Sequence, residues 1–167
     1  MMVKGSERTA LITGESTVSY NELLRQIGIY AGLYRIRKGD RVAVFSENRP
    51  EWIYAFYSAW ANGGVSVPID FMSPSVDVRA LLEDSTPAVV FTSHACLTVL
   101  WSALKNLRRK PRIFIFEEIR PAAPVRFSEL RIEDPDAIAA ILYTSGTTGN
   151  AKGVMLTFDN LLATIEA

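Results

Sequence analysis

Short β-branched apolar runs alternate with amphipathic runs along nearly the whole chain. Thr9–Thr13 and Thr17–Ser19 flank Gly14-Glu15-Ser16 and predict a small hairpin. Ser19 and Glu22 then have capping-box spacing. Tyr20, Leu23, Leu24, Ile27, Tyr30, Ala31 and Tyr34 recur at helical spacing, which predicts a helix that Gly39 stops, with Lys38 in its last turn. Arg41–Phe45 reads as a strand. Pro50 suits the first turn of a helix carrying Trp52, Ile53, Phe56, Tyr57 and Trp60 on one face, ended by Asn62-Gly63-Gly64. Val65–Ile69 is the next strand, and Ser73-Pro74 starts a helix whose buried side is Val78, Leu81 and Leu82. Ala88–Thr92 is a strand, followed by a helical stripe of Leu97, Leu100, Trp101, Leu104 and Leu107, and Arg112–Phe116 is a further strand. Residues 117–136 are loop-rich, with Pro121, Pro124 and Pro135. Ile138–Tyr143 and Val154–Leu156 are apolar β runs, and Thr157 caps a last helix bearing Leu161, Leu162 and Ile165. Strands and helices alternating at these lengths predict an α/β fold, a mainly parallel sheet with flanking helices. In such sheets ligands sit beyond the carboxyl ends of the strands.

Composition narrows the function classes. The 167 residues make one domain's worth of chain, with 49% hydrophobic and 22% charged residues, as in ordinary globular proteins. Eighteen basic and 18 acidic residues cancel, which argues against a dedicated nucleic-acid binder. Cys96 is the only cysteine and His94 the only histidine, so an internal disulfide and a structural zinc site are both excluded. Met1–Thr13 lacks the apolar core of a signal peptide, and no apolar run approaches the roughly 18 residues of a membrane span. A cytoplasmic location fits best.

The chemistry concentrates after Ile138–Tyr143, in the stretch Thr144-Ser145-Gly146-Thr147-Thr148-Gly149-Asn150-Ala151-Lys152-Gly153. Its glycines let backbone N–H groups approach a ligand, its four hydroxyls add donors, Lys152 adds a positive charge, and no acid interrupts it. Such a donor set suits a polyphosphate. It is not a Walker A loop: Lys152 follows Gly149 by three, Gly153 comes next, and a strand rather than a helix resumes. The loop is therefore the tip of a β-hairpin.

The run from Tyr143 to Thr157 resembles the signature of the adenylate-forming (AMP-binding) ligases, which include acyl-CoA synthetases, luciferases and the adenylation domains of peptide synthetases. The likeness continues in Ser19–Leu23, Gly39–Ala43, Asn48–Trp52, Gly63–Ile69 and Asp134-Pro135-Asp136, and within the family it is most like the long-chain fatty acyl-CoA synthetases. The resemblance implies the fold of the amino-terminal portion of the family's large domain. It implies a reaction in which a carboxylate attacks the α-phosphate of ATP and a thiol, usually that of coenzyme A, then displaces AMP. It places the grip on the β- and γ-phosphates at Thr144, Ser145, Gly146, Thr147, Thr148, Gly149 and Lys152. ATP, Mg2+ and coenzyme A are the implied cofactors of the parent enzyme, with a fatty acid as the small-molecule substrate. The chain departs from the pattern at Ala151, where the family usually has Pro, and at Phe158, where it often has His.

The family's adenine and ribose motifs, metal-binding Glu, hinge and catalytic Lys all follow the signature. Residues 1–167 are accordingly expected to be an incomplete amino-terminal part of a ligase, without the small C-terminal catalytic domain and inactive alone. The alternative is a stand-alone binding or interaction module derived from the fold. An incomplete domain also exposes the apolar runs Ala137–Tyr143 and Val154–Leu156, which predicts a homo-oligomer. Elsewhere, His94 reads as a cap or surface group and Cys96 as a small buried residue. The stripe Trp52–Trp60 reads as core and the basic residues of Lys105–Lys110 as a solvated helix end, while Glu47 and Asp70 read as capping and loop hydrogen-bond acceptors.

Overall fold

The computed structural model describes residues 2–14, 16–120, 124–126, 128–144 and 152–166. Among these residues the strands are β1 (Met2–Lys4), β2 (Thr9–Thr13), β3 (Ser16–Ser19), β4 (Arg41–Phe45), β5 (Val65–Ile69), β6 (Val89–Thr92), β7 (Arg112–Ile115), β8 (Glu129–Arg131), β9 (Ile138–Thr144) and β10 (Lys152–Thr157). The helices are α1 (Tyr20–Gly32), α2 (Pro50–Ala61), α3 (Ser75–Ser85), α4 (Leu97–Leu104) and α5 (Phe158–Glu166). Single 3₁₀ turns lie at His94–Cys96 and Phe116–Glu118. No helix is long and apolar enough to cross a membrane among the described residues.

Six strands form the main sheet in the order β10-β9-β5-β4-β6-β7. All neighbouring pairs are parallel except β9 and β10, which form an antiparallel hairpin at one edge. The strand period of two divides the core. Val42 and Val44 of β4 join Phe91 in the cluster that holds α1 and α2, whereas Ala43 and Phe45 join Val67 and Val90 in the cluster that holds α3 and α4. The predicted α/β architecture is thus present, with a helix layer on each face. The predicted hairpin near the amino terminus is β2–β3.

The structure corrects the sequence reading in several places. The first helix ends at Gly32 rather than at Gly39: Leu33 N–H closes on Tyr30 O at 3.1 Å, and Tyr34 instead sends its hydroxyl to Ser58 Oγ at 2.9 Å. Tyr34 stays buried, so it keeps the period of the stripe without being helical. Burial pushes its phenol up to about 12. Gly39 serves the approach to β4, donating its N–H to Gly63 O at 2.8 Å. On α2 the most buried residues are Tyr54, Ala55, Ser58, Ala59 and Trp60, while Trp52, Ile53, Phe56 and Tyr57 are only partly buried. The helix is apolar nearly all round, and its small residues sit closest to the core. The third helix begins at Ser75, with Pro74 as its N-cap. Within the loop-rich stretch, β8 pairs with β1 as a separate two-stranded sheet that the sequence pattern does not reveal.

One glycine after α2 is sterically fixed. A Cβ on Gly64 would lie 2.6 Å from Ile36 Cδ1, 2.8 Å from Asp40 O and 3.2 Å from Ala59 O. Two of these are backbone atoms that cannot swing away, so the chain passes from α2 into β5 only with glycine there.

Candidate functional site

The acid-free tip rests on the β9–β10 hairpin. Lys152 pairs across the strands with Thr144, Gly153 with Tyr143, Val154 with Leu142 and Met155 with Ile141. Thr144 and Lys152 are therefore the facing end positions of the two strands, and both are exposed. The other residues assigned to the grip, Ser145, Gly146, Thr147, Thr148 and Gly149, lie outside the described residues, as does Ala151. The tip follows the carboxyl end of β9, and β9 runs parallel to β5, with Ala140 opposite Ser66. The strands predicted on either side of the tip are thus β9 and β10, paired antiparallel.

Four devices hold the stem. At its base, Trp60 Nε1 donates to Ala139 O at 2.8 Å. Thr157 Oγ1 accepts from Asn160 N at 3.2 Å and Asn160 Oδ1 accepts from Thr157 N at 3.0 Å, the reciprocal cap expected where β10 turns into α5. Phe158, at the position where the family often has His, is buried with its ring edge-on to Trp60 at 5.0 Å. Near the tip, Tyr143 Oη donates to Asp84 Oδ2 of α3 at 2.5 Å. Burial first, and then acceptance of this bond by Asp84, push the Tyr143 phenol upward. Arg41 in turn donates from Nε to Ser85 O at 2.7 Å and from Nη2 to Thr86 Oγ1 at 2.5 Å.

A second polar cluster gathers beyond β4, β6 and β7, where strand-end chemistry was expected. Glu47 Oε2 accepts from Ser93 Oγ at 2.5 Å and from Ser46 Oγ at 3.2 Å. Arg49 donates to Glu47 Oε1 at 3.3 Å, to Glu51 Oε2 at 3.0 Å and to Glu117 Oε1. Its guanidinium also lies 5.2 Å from the Phe116 ring centroid. Glu51, with Glu117 behind it, raises the Arg49 pKa against the opposing effect of burial. Burial works against the Glu47 carboxylate, but the Ser93 hydroxyl, the local backbone, Ser46 and Arg49 outweigh it and hold its pKa below the ordinary value. Glu117 is lowered in the same way, burial being overcome by Arg49 and by backbone N–H donors including that of His94. Ser46, Ser93 and the Nε and Nη1 of Arg49 donate to acceptors within the cluster, which ties the β4, β6 and β7 loops together. Among the described residues no hydrogen bond joins it to the hairpin stem.

This cluster carries a pH dependence of stability. A carboxylate whose folded pKa is depressed stabilises the fold above its unfolded pKa and loses that contribution as pH falls through the folded value. Replacing Arg49 by Met is expected to cost about 2 kcal/mol at pH 7. The gap to wild type should narrow as pH falls below about 4.5, where Glu47 and Glu117 take up protons. Urea unfolding at pH 7 and pH 3.5 checks this, and an equal gap at both values contradicts it.

The remaining candidates have modest roles. His94 is half-exposed, with Nε2 3.1 Å from Glu118 Oε1. Cys96 is buried, its thiol pushed up mainly by that burial. Asp70 Oδ1 accepts from Met72 N at 3.0 Å, a loop bond. Arg108 and Arg109 line an open cavity of about 460 Å³ with Leu82, Glu83, Thr86, Asn106 and Leu107. It lies past the carboxyl ends of α3 and α4, where helix dipoles favour cations rather than a bound anion. No cluster of metal-ligating side chains occurs among the described residues.

The sequence pattern of the family described as AMP-binding enzyme matches residues 2–167. The chain is 35% identical over 148 residues to long-chain-fatty-acid–CoA ligase FadD15 of Mycobacterium bovis, covering 78% of this chain and 24% of that protein. It is 31% identical over 160 residues to a feruloyl-CoA synthase of an Amycolatopsis species, covering 92% and 31%. The crystal structure of ATP-bound MatB from Rhodopseudomonas palustris superposes with a TM-score of 0.73 at 26% identity, covering 89% of this chain and 31% of that one. The chain spans less than a third of the length of each of these proteins.

Proposed function

The chain belongs to the AMP-binding enzyme family, and from that premise we propose that residues 1–167 form the amino-terminal part of the large domain of an ATP-dependent acid–thiol ligase and carry its triphosphate grip. The observation behind this reading is the hairpin itself: Thr144 and Lys152 face each other as cross-strand partners at the two ends of a tip that contains no acid. Backbone N–H, hydroxyl and ammonium donors would offset the charge of the β- and γ-phosphates and hold the leaving pyrophosphate in line with the attacking carboxylate. The residues assigned to this task are Thr144, Ser145, Gly146, Thr147, Thr148, Gly149 and Lys152. Mg2+ would share the neutralisation of the phosphates, and coenzyme A would be the thiol acceptor. The identity with FadD15 supports a long-chain fatty acid as the substrate, and the feruloyl-CoA synthase keeps an aromatic acid as the competing reading.

The test is a nucleotide ladder. Calorimetric titration of the chain with AMP, ADP and ATP in the presence of Mg2+ should give affinity that rises with each phosphate, and tripolyphosphate should compete with ATP. Equal affinity for AMP and ATP would overturn the assignment. The chain alone is expected to give no carboxylate-dependent ATP–pyrophosphate exchange, and exchange above background would refute that part of the reading.

Self-association is part of the same proposal. β10 is an edge strand, and Leu142, Val154 and Met155 are 39%, 45% and 62% exposed along the hairpin. Unpaired strand edges carrying apolar side chains pair with other chains. Sedimentation velocity should show concentration-dependent association that Met155→Lys reduces, whereas a clean monomer at high concentration contradicts it.

A further inference from the structure

The bond between Tyr143 and Asp84 is unusual in its placement. Tyr143 stands one residue before Thr144, on the strand that enters the tip, and Asp84 belongs to the last turn of α3, 59 residues earlier. Across the hairpin Tyr143 faces Gly153, the residue after Lys152. A Cβ built on Gly153 would lie 3.2 Å from both Cε1 and Cζ of the Tyr143 ring and 2.9 Å from Ile141 Cγ2. The absence of a side chain at 153 therefore lets the tyrosine ring lie against the backbone of the opposite strand. A glycine in an edge strand covered by a cross-strand aromatic ring is a known way of pinning register. The hydroxyl beyond the ring is then fixed by a carboxylate, and a charged acceptor makes the stronger kind of hydrogen bond. The carboxylate is itself placed by α3, whose final carbonyl Arg41 clamps from β4, a central strand of the sheet. The series runs from the rigid centre of the fold through Arg41, Ser85, Asp84 and Tyr143 to the two residues that flank the tip.

We propose that Asp84 and Tyr143 are positioning residues for the phosphate grip: their hydrogen bond, with the tyrosine ring packed over Gly153, sets the register and angle at which Thr144 and Lys152 meet the triphosphate. This rests on the proposed nucleotide reading. It explains why the stem combines a glycine, a ring and a distant acid, none of which would touch the phosphates.

The experiment uses the 167-residue chain and the variants Tyr143→Phe, Asp84→Asn and the double variant. Tyr143→Phe keeps the ring over Gly153 and removes only the donor. Three quantities are measured: amide hydrogen exchange without ligand, affinity for Mg-tripolyphosphate, and the unfolding midpoint in urea. Each single variant is expected to speed exchange in β9 and β10 about five- to tenfold while β4 and β6 remain unchanged. Affinity for Mg-tripolyphosphate should fall by a similar factor, and the double variant should be no worse than either single one, because the two residues act through one bond. The urea midpoint should move little, which separates positioning from general destabilisation. Faster hairpin exchange with unchanged affinity would overturn the positioning role, as would additive losses in the double variant. If wild type and variants alike failed to bind tripolyphosphate, the nucleotide reading would fall and this proposal with it, whereas wild-type binding that the variants retain removes this proposal alone.

Discussion

Phe91→Ala should destabilise the chain by about 3–5 kcal/mol, among the largest losses a single core truncation produces. Phe91 lies on β6, between β4 and β7, and is fully buried. Its ring meets four others: Phe114 at 5.2 Å, Tyr30 at 5.6 Å, Tyr34 at 5.7 Å and Phe116 at 6.0 Å between centroids. Truncation removes the apolar area of the ring and leaves a cavity that four rigid rings from α1, the segment beyond α1, β7 and the 3₁₀ turn after β7 cannot collapse to fill. Each aromatic pair adds about 0.5–1.5 kcal/mol beyond area burial. Phe91→Leu keeps most of the volume and loses the pairs, so it should cost about half as much or less. Trp101→Ala is the control, since Trp101 is 52% exposed and its truncation should cost little. Equilibrium urea unfolding measures all three. A loss at Phe91 no larger than that at Trp101 would mean the aromatic cluster is not the centre of the core.

The strand–helix alternation was legible because buried parallel strands read as continuous apolar runs and helices as stripes, and tertiary packing here agrees with both periods. β4 and β5 appear with the expected ends, since Gly39-Asp40 precede β4 and Gly63-Gly64 and Asp70 bracket β5. The reading failed where period carries no information about direction. Tyr34 continues the helical spacing of α1, yet its hydroxyl is drawn to Ser58, and only the position of α2 decides that. On α2 the sequence pattern points to the large aromatic residues, while Ala55, Ser58 and Ala59 make the closest approach because their size permits it. β1 and β8 are three residues each, too short for any alternation, and pair Val3 with Leu130 across most of the chain. The same distinction divides the candidate site. The donor-rich tip is a local composition and could be read directly. The acid that holds its stem, Asp84, and the glutamate that completes the Arg49 cluster, Glu117, are 59 and 68 residues from their partners. Nothing in the letters near either residue announces the pairing.

Lys152→Ala should weaken Mg-ATP binding by about tenfold, near 1.4 kcal/mol. Lys152 is exposed and brings the only formal charge of residues 144–153, so its removal would take away the proposed charge-assisted contact to phosphate while leaving the hairpin pairing in place. Its cross-strand partner Thr144 retains its backbone bonds, and stability should be nearly unchanged. The effect should be specific to the phosphates: binding of adenosine, if measurable, should not respond.

The most direct measurement is amide chemical-shift mapping of the chain during titration with Mg-tripolyphosphate, in wild type and in Lys152→Ala. The account predicts that the perturbed amides cluster at residues 144–153 and that their saturation moves to about tenfold higher ligand in the variant. Perturbations centred on Arg108 and Arg109 instead, or a titration indifferent to the loss of Lys152, would contradict it.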